Sequence, residues 1–74
     1  MGTKQDQFLD KLRKRIVKLR KEKGLTQASL AQAADIDRAA LANIETGKRR
    51  PTVTTLYKIS VALQVKVEEI FKGL

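Results

Sequence analysis

Twenty residues near the middle of the chain, Thr26 to Glu45 (TQASLAQAADIDRAALANIE), constrain its fold more than any others. They read as two short helices joined by a tight turn, each opened by a capping residue. The Thr26 hydroxyl is placed to accept a hydrogen bond from the free amides of the turn after it. Asp37 is placed to do the same for the next helix. Between and beyond the caps, Leu30, Ala31, Ala34, Ile36, Leu41 and Ile44 are apolar, while Gln27, Arg38 and Asn43 are polar and point outward. Ala31 is small where two steeply crossing helices need a close approach.

Two helices so arranged form a helix-turn-helix, a motif whose second helix enters the major groove of DNA. The charge distribution agrees. The chain carries a net charge of +8, placed unevenly. Residues 1–24 hold nine Lys/Arg and three acids, residues 25–47 one Arg and three acids, and residues 48–58 four bases and no acid. Positive charge therefore brackets the central helices, as in a domain whose flanks hold phosphates while one helix reads base edges.

The 74 residues leave room for one small domain over 1–74, and a chain this short buries only ~60% of its unfolded surface. It has no cysteine and no histidine, which excludes disulfides and thiolate metal sites and removes the commonest general bases and nucleophiles. Its carboxylates are scattered, so neither a metal, a cofactor nor a catalytic set is expected, and the chain is not read as an enzyme. No apolar run approaches the ~20 residues of a membrane span, and the N-terminal residues lack the charged-then-apolar order expected of a signal peptide. A soluble, cytoplasmic protein is expected.

Periodicity predicts five helices and no strand. The first runs from about Asp6 to Lys23 with Leu12, Ile16 and Leu19 inward, and Gly24 follows as a left-handed cap. The fourth starts at Thr52 and runs to Leu63, with Val53, Leu56, Ile59 and Leu63 facing the core. The last, Val67 to Phe71, closes the core with Val67, Ile70 and Phe71. Lys11, Arg13, Lys14, Arg15, Lys18 and Lys21 read as a solvated basic face that adds non-specific attraction to DNA. The result is a compact all-α domain.

From Leu12 to Phe71 the chain resembles the lambda-repressor-like, or XRE-type, helix-turn-helix family. The matching landmarks are RIVKLRKEKGLTQASLAQAA, the Ile44-Glu45-Thr46-Gly47-Lys48 exit from the third helix, Pro51, and IFKGL at the end. The resemblance implies base readout by Arg38, Ala39, Ala40 and Asn43, with the Arg38 fork matching guanine and the alanines a thymine methyl. It implies phosphate contacts from Gln27, through its side-chain amide and backbone N–H, and from Thr46, Lys48, Arg49 and Arg50. It further implies a structural ion pair between Arg20 and Glu45. Asp35 and Gln64 stand where the family has glycine at positive φ, and Lys66 replaces a usual Ser or Asp cap, so the fifth helix is expected to fray.

The function so implied is a sequence-specific DNA-binding regulator, a small repressor or a protein like the controllers of restriction–modification systems. Its partner is double-stranded DNA with a palindromic operator. Phe8, Leu9, Val17, Val61, Phe71 and Leu74 are apolar beyond the needs of the fold, and some of them are expected to join two copies into a homodimer. The alternative is an antitoxin-like module that binds a protein partner and uses DNA for autoregulation.

Overall fold

Each longer helix starts at a residue with extended backbone, and in three of the four that residue's side chain accepts from a free amide of the first turn. The computed structural model describes residues 2–74 and forms α1 (Lys4–Glu22), α2 (Gln27–Ala34), α3 (Arg38–Glu45), α4 (Val53–Leu63) and α5 (Val67–Ile70). Thr3 opens α1 with a capping box, its hydroxyl accepting from the Asp6 N–H at 3.0 Å while its own N–H donates to the Asp6 carboxylate. That box starts α1 two residues before the expected Asp6. Thr26 and Ser29 form the same reciprocal pair on α2. Thr52 caps α4 from outside, accepting from the Thr55 N–H at 3.1 Å, so the helix begins one residue later than expected. Asp37 occupies the cap position of α3 but makes no side-chain capping bond, contrary to the expectation.

Three helices end in the same device. At Gly24, Asp35 and Gln64 the chain turns left-handed, with φ of 71°, 56° and 60°. The N–H of the next residue, Leu25, Ile36 or Val65, reaches back five positions to a helix carbonyl at 3.0–3.1 Å. These three residues also pack against the core, as the hydrophobic contact of a Schellman motif does. Asp35 and Gln64 hold a conformation that costs an L-residue roughly 1–2 kcal/mol.

All five helices feed one core. Ile16, Leu30, Leu41, Ile59, Leu63 and Ile70 are fully buried, with at least one from each helix. α2 packs on α3 and α4, α5 on α4, and α1 braces α3 and α5. Among the described residues there is no strand.

Three expected core residues lie outside. Val53 is 84% exposed, because it sits about 60° round the helix from Leu56 on the side away from Ile59. A single helical turn presents one residue inward, and in α5 that residue is Ile70. Val67 and Phe71 are therefore exposed, and α5 ends one residue earlier than expected. Phe71 instead stacks on Phe8 of α1, with centroids 6.3 Å apart and rings within 11° of parallel. Lys66 supplies no side-chain cap to α5.

Candidate nucleic-acid interface

α3 is held by a polar knot beneath it. Arg20 Nε donates to Glu45 Oε2 at 2.8 Å and Arg20 Nη2 to Oε1 at 3.0 Å, a two-pronged pair with both side chains largely out of water. Arg20 Nη1 also donates to the Leu25 carbonyl at 2.9 Å, and Gln27 Nε2 donates to Glu45 Oε1 at 2.9 Å. The Glu45 carboxylate at the end of α3 thus ties α1 to the start of α2, and Arg20 extends the knot to the loop between them. Two planar forks matched edge to edge fix orientation as well as distance. No buried side-chain nitrogen or oxygen among the described residues lacks a partner.

Two more arginines of α1 belong to this frame, which corrects their expected place on a solvated face. In an α-helix, residues seven apart lie about 20° apart round the axis, so Arg13 and Arg20 share the edge of α1 that faces α3. Arg13 donates to the Glu45 carbonyl at 3.3 Å and to the Asp10 carboxylate. Its side chain lies against Gly47, where a Cβ would come within 3.2 Å of Arg13 Nε. Gly47 has φ 84°, so both the backbone and the close side chain favour glycine there. Arg15, on the opposite edge, donates to the Glu69 carbonyl at 2.8 Å and meets the Glu69 carboxylate at 3.3 Å. The hydrogen bond from Lys14, with Arg13 close by, holds the Asp10 carboxyl below its ordinary value.

The outward side is different. Arg38, Ala39 and Asn43 are exposed on α3, Ala40 is half-buried, and Lys48, Arg49 and Arg50 are exposed in the loop that follows. Among the described residues none of these basic side chains forms an ion pair or a side-chain hydrogen bond within the protein. The loop is fixed at its root, since the Lys48 and Arg49 N–H groups both donate to the Asn43 carbonyl, at 2.9 and 3.1 Å. A rigid backbone therefore carries side chains that have no other commitment.

Two expected phosphate ligands have other bonds. Thr46 donates its hydroxyl to the Ala42 carbonyl at 3.0 Å, and its backbone N–H goes to the same oxygen. A phosphate only accepts, so the Thr46 hydroxyl must rotate away from Ala42 to reach one. Gln27 gives an amide hydrogen to Glu45, which leaves its second amide hydrogen and its first-turn backbone N–H.

Of the apolar residues singled out for association, Phe8, Val61, Phe71 and Leu74 are exposed, Val17 is half-buried and Leu9 packs on the core. Val53, expected in the core, and Tyr57, which the sequence did not single out, are exposed on α4 with Val61 at steps of four. That spacing was the available signal. No helix among the described residues is long and apolar enough to cross a membrane.

Comparison with known proteins places these features in context. A family profile described as helix-turn-helix (HTH_3) matches residues 16–70. The control protein C.MunI of a Mycoplasma species is 41% identical over 61 residues, which span 81% of this chain and 82% of that protein. The immunity repressor protein of Bacillus phage phi105 is 41% identical over 56 residues, 76% of this chain and 39% of the repressor. Among solved structures, the restriction-modification controller protein C.AhdI from Aeromonas hydrophila matches with a TM-score of 0.83 at 33% identity, covering 85% of this chain and 96% of that one. The wild-type restriction-modification controller protein C.Esp1396I matches with a TM-score of 0.83 at 35% identity, covering 88% and 86%.

Proposed function

Because this chain belongs to the helix-turn-helix family, we propose that it is a sequence-specific transcriptional regulator that binds operator DNA through the major groove. One observation carries the reading: α3 is locked from below by Arg20, Glu45 and Gln27 and presents Arg38, Ala39 and Asn43 to solvent. A pre-ordered helix gives up little conformational freedom when its side chains meet base edges. The Arg38 fork donates to O6 and N7 of a guanine, the Ala39 and Ala40 methyls pack on a thymine methyl, and Asn43 reaches the next base or phosphate. Lys48, Arg49 and Arg50 hold the backbone beyond the groove, while the first-turn amides of α2, with the second Gln27 amide hydrogen, take a phosphate on the other side.

The protein acts as a homodimer on a two-fold symmetric operator, its half-sites about 34 Å apart. Exposed apolar residues at Phe8, Val61, Phe71 and Leu74 supply surface for the second copy. The likeness to control and controller proteins supports a role in setting the expression of a linked gene. Selection of tight-binding duplexes from a random pool, at about 0.15 M salt, tests the reading. A two-fold symmetric motif is expected. Salt-sensitive binding with no enriched motif would count against it and favour a protein-interaction role.

A further inference from the structure

Asp37 departs from the pattern set by every other long helix of this chain. Thr3, Thr26 and Thr52 each accept a hydrogen bond from the third residue of their helix, at 3.0–3.1 Å. Asp37 has the same extended backbone, with φ −64° and ψ 138°, and a side chain at least as good at capping. It nevertheless makes no such bond, and it takes part in no ion pair among the described residues. The carboxylate is exposed next to Arg38, at a cleft of about 210 Å³ that Ala40, Arg49 and Arg50 also line. An uncommitted acid thus stands one residue before Arg38 in the chain, on a surface whose flanks are strongly basic.

We propose that Asp37 determines specificity by accepting a hydrogen bond from the exocyclic amino group of a cytosine, beside the guanine that Arg38 reads. In the major groove only cytosine N4 and adenine N6 carry donors. Adenine sets its N7 lone pair next to N6, where it repels the second carboxylate oxygen, whereas cytosine offers a C–H there. Cytosine is therefore the base a carboxylate selects. At guanine or thymine the negative charge meets acceptors and phosphates with no donor in return, and at adenine the N6 donor comes with the N7 repulsion. Asp37 thereby lowers affinity for wrong sequences, and discrimination arises from that penalty as much as from the correct contact. The basic segments on either side of α3 offset its repulsion from the backbone.

This inference rests on α3 entering the groove, and the experiment separates the two ideas. Duplex selection is run on the parent, Asp37→Ala and Asp37→Asn, with a thermal melt of each protein. The inference expects Asp37→Ala to melt within about 1 °C of the parent, because no capping bond is lost; a true cap would cost roughly 4 °C or more. It expects one cytosine per half-site to lose its preference by about 5- to 150-fold, with tighter binding to random-sequence DNA. Asp37→Asn is expected to turn that position toward adenine, since a carboxamide donates to N7 and accepts from N6. Unchanged motifs with a lowered melting temperature would make Asp37 a cap, and unchanged motifs with an unchanged melt would make it a solvated residue. Either result overturns the inference and leaves the regulator reading standing. A parent that enriches no motif overturns both.

Discussion

Six arginines of this chain divide into two sets with opposite roles. Arg13, Arg15 and Arg20 lie on α1, and each donates to a backbone carbonyl and to a carboxylate. Arg38, Arg49 and Arg50 lie on α3 and the loop after it, exposed and without an ion pair among the described residues. The guanidinium group is the same in both sets, five donors in a rigid planar fork. Where acids and carbonyls surround the fork it becomes a brace between helices. Where nothing meets it, the same fork is available to guanine or phosphate. Positive charge alone therefore does not mark an interface; unspent donors on a fixed backbone do.

The sharpest way to break the distinction is to remove the acid at the centre of the braced set. Glu45→Ala leaves the Arg20 guanidinium sequestered without its counter-charge and one Gln27 donor without its acceptor. We expect a loss of about 3–5 kcal/mol in urea unfolding, a large part of the ~5–15 kcal/mol that holds a domain together. A loss below about 1 kcal/mol would place the pair with ordinary surface ion pairs. Arg38→Ala, from the exposed set, is expected to leave the melting temperature unchanged. It should cost ~1–3 kcal/mol of binding to the selected duplex, confined to one base pair per half-site.

Arg49→Ala sharpens the division within the exposed set. Its binding to matched and scrambled duplexes should fall about equally, and the slope of log affinity against log salt should decrease by ~1. The smallest effect concerns Asp10, which faces Arg13 and Lys14 at the edge of the frame. Its folded-state carboxyl titrates below the ordinary 3.8, so the stability it adds is present above that value and fades as pH falls through the lower folded one. Asp10→Asn should therefore change the melting temperature little at pH 7 and flatten its decline in acid below about pH 4. An unchanged acid limb would show that Asp10 takes no part in the brace.

Much of this architecture is written locally in the sequence, and therefore legible there. The stripe of Leu12, Ile16 and Leu19 and the apolar positions of α2 and α3 follow from helical period alone. Asp35 and Gln64 were legible as left-handed ends only through the family resemblance, which has glycine at positive φ in both places. The outward polar face of α3 follows from the same period. Features settled by neighbouring elements were not legible. Period places Arg13 and Arg15 on the edges of α1 but does not say that the end of α3 and α5 lie against those edges. Val53 has a core-like side chain, yet no partner helix covers the angle at which it projects, and Phe71 meets Phe8 of α1 at the surface instead of the core. The two extra residues at the start of α1 were missed for a local reason, since the Thr3–Asp6 box precedes the helix's first apolar residue, Phe8, and periodicity has nothing there to register. Asp37 is the reverse case: its residue type suggests a cap, and the geometry leaves the carboxylate unused.

We propose that the uncommitted side chains of α3 and its following loop form the surface that meets DNA. An amide-resolved NMR titration with the selected duplex tests it directly. The largest shifts are expected at Gln27, from Arg38 to Asn43 and from Lys48 to Arg50, with little change at Arg15 and Glu69 on the far side of the frame. Shifts concentrated on Val53, Tyr57 and Val61, with α3 silent, would contradict it.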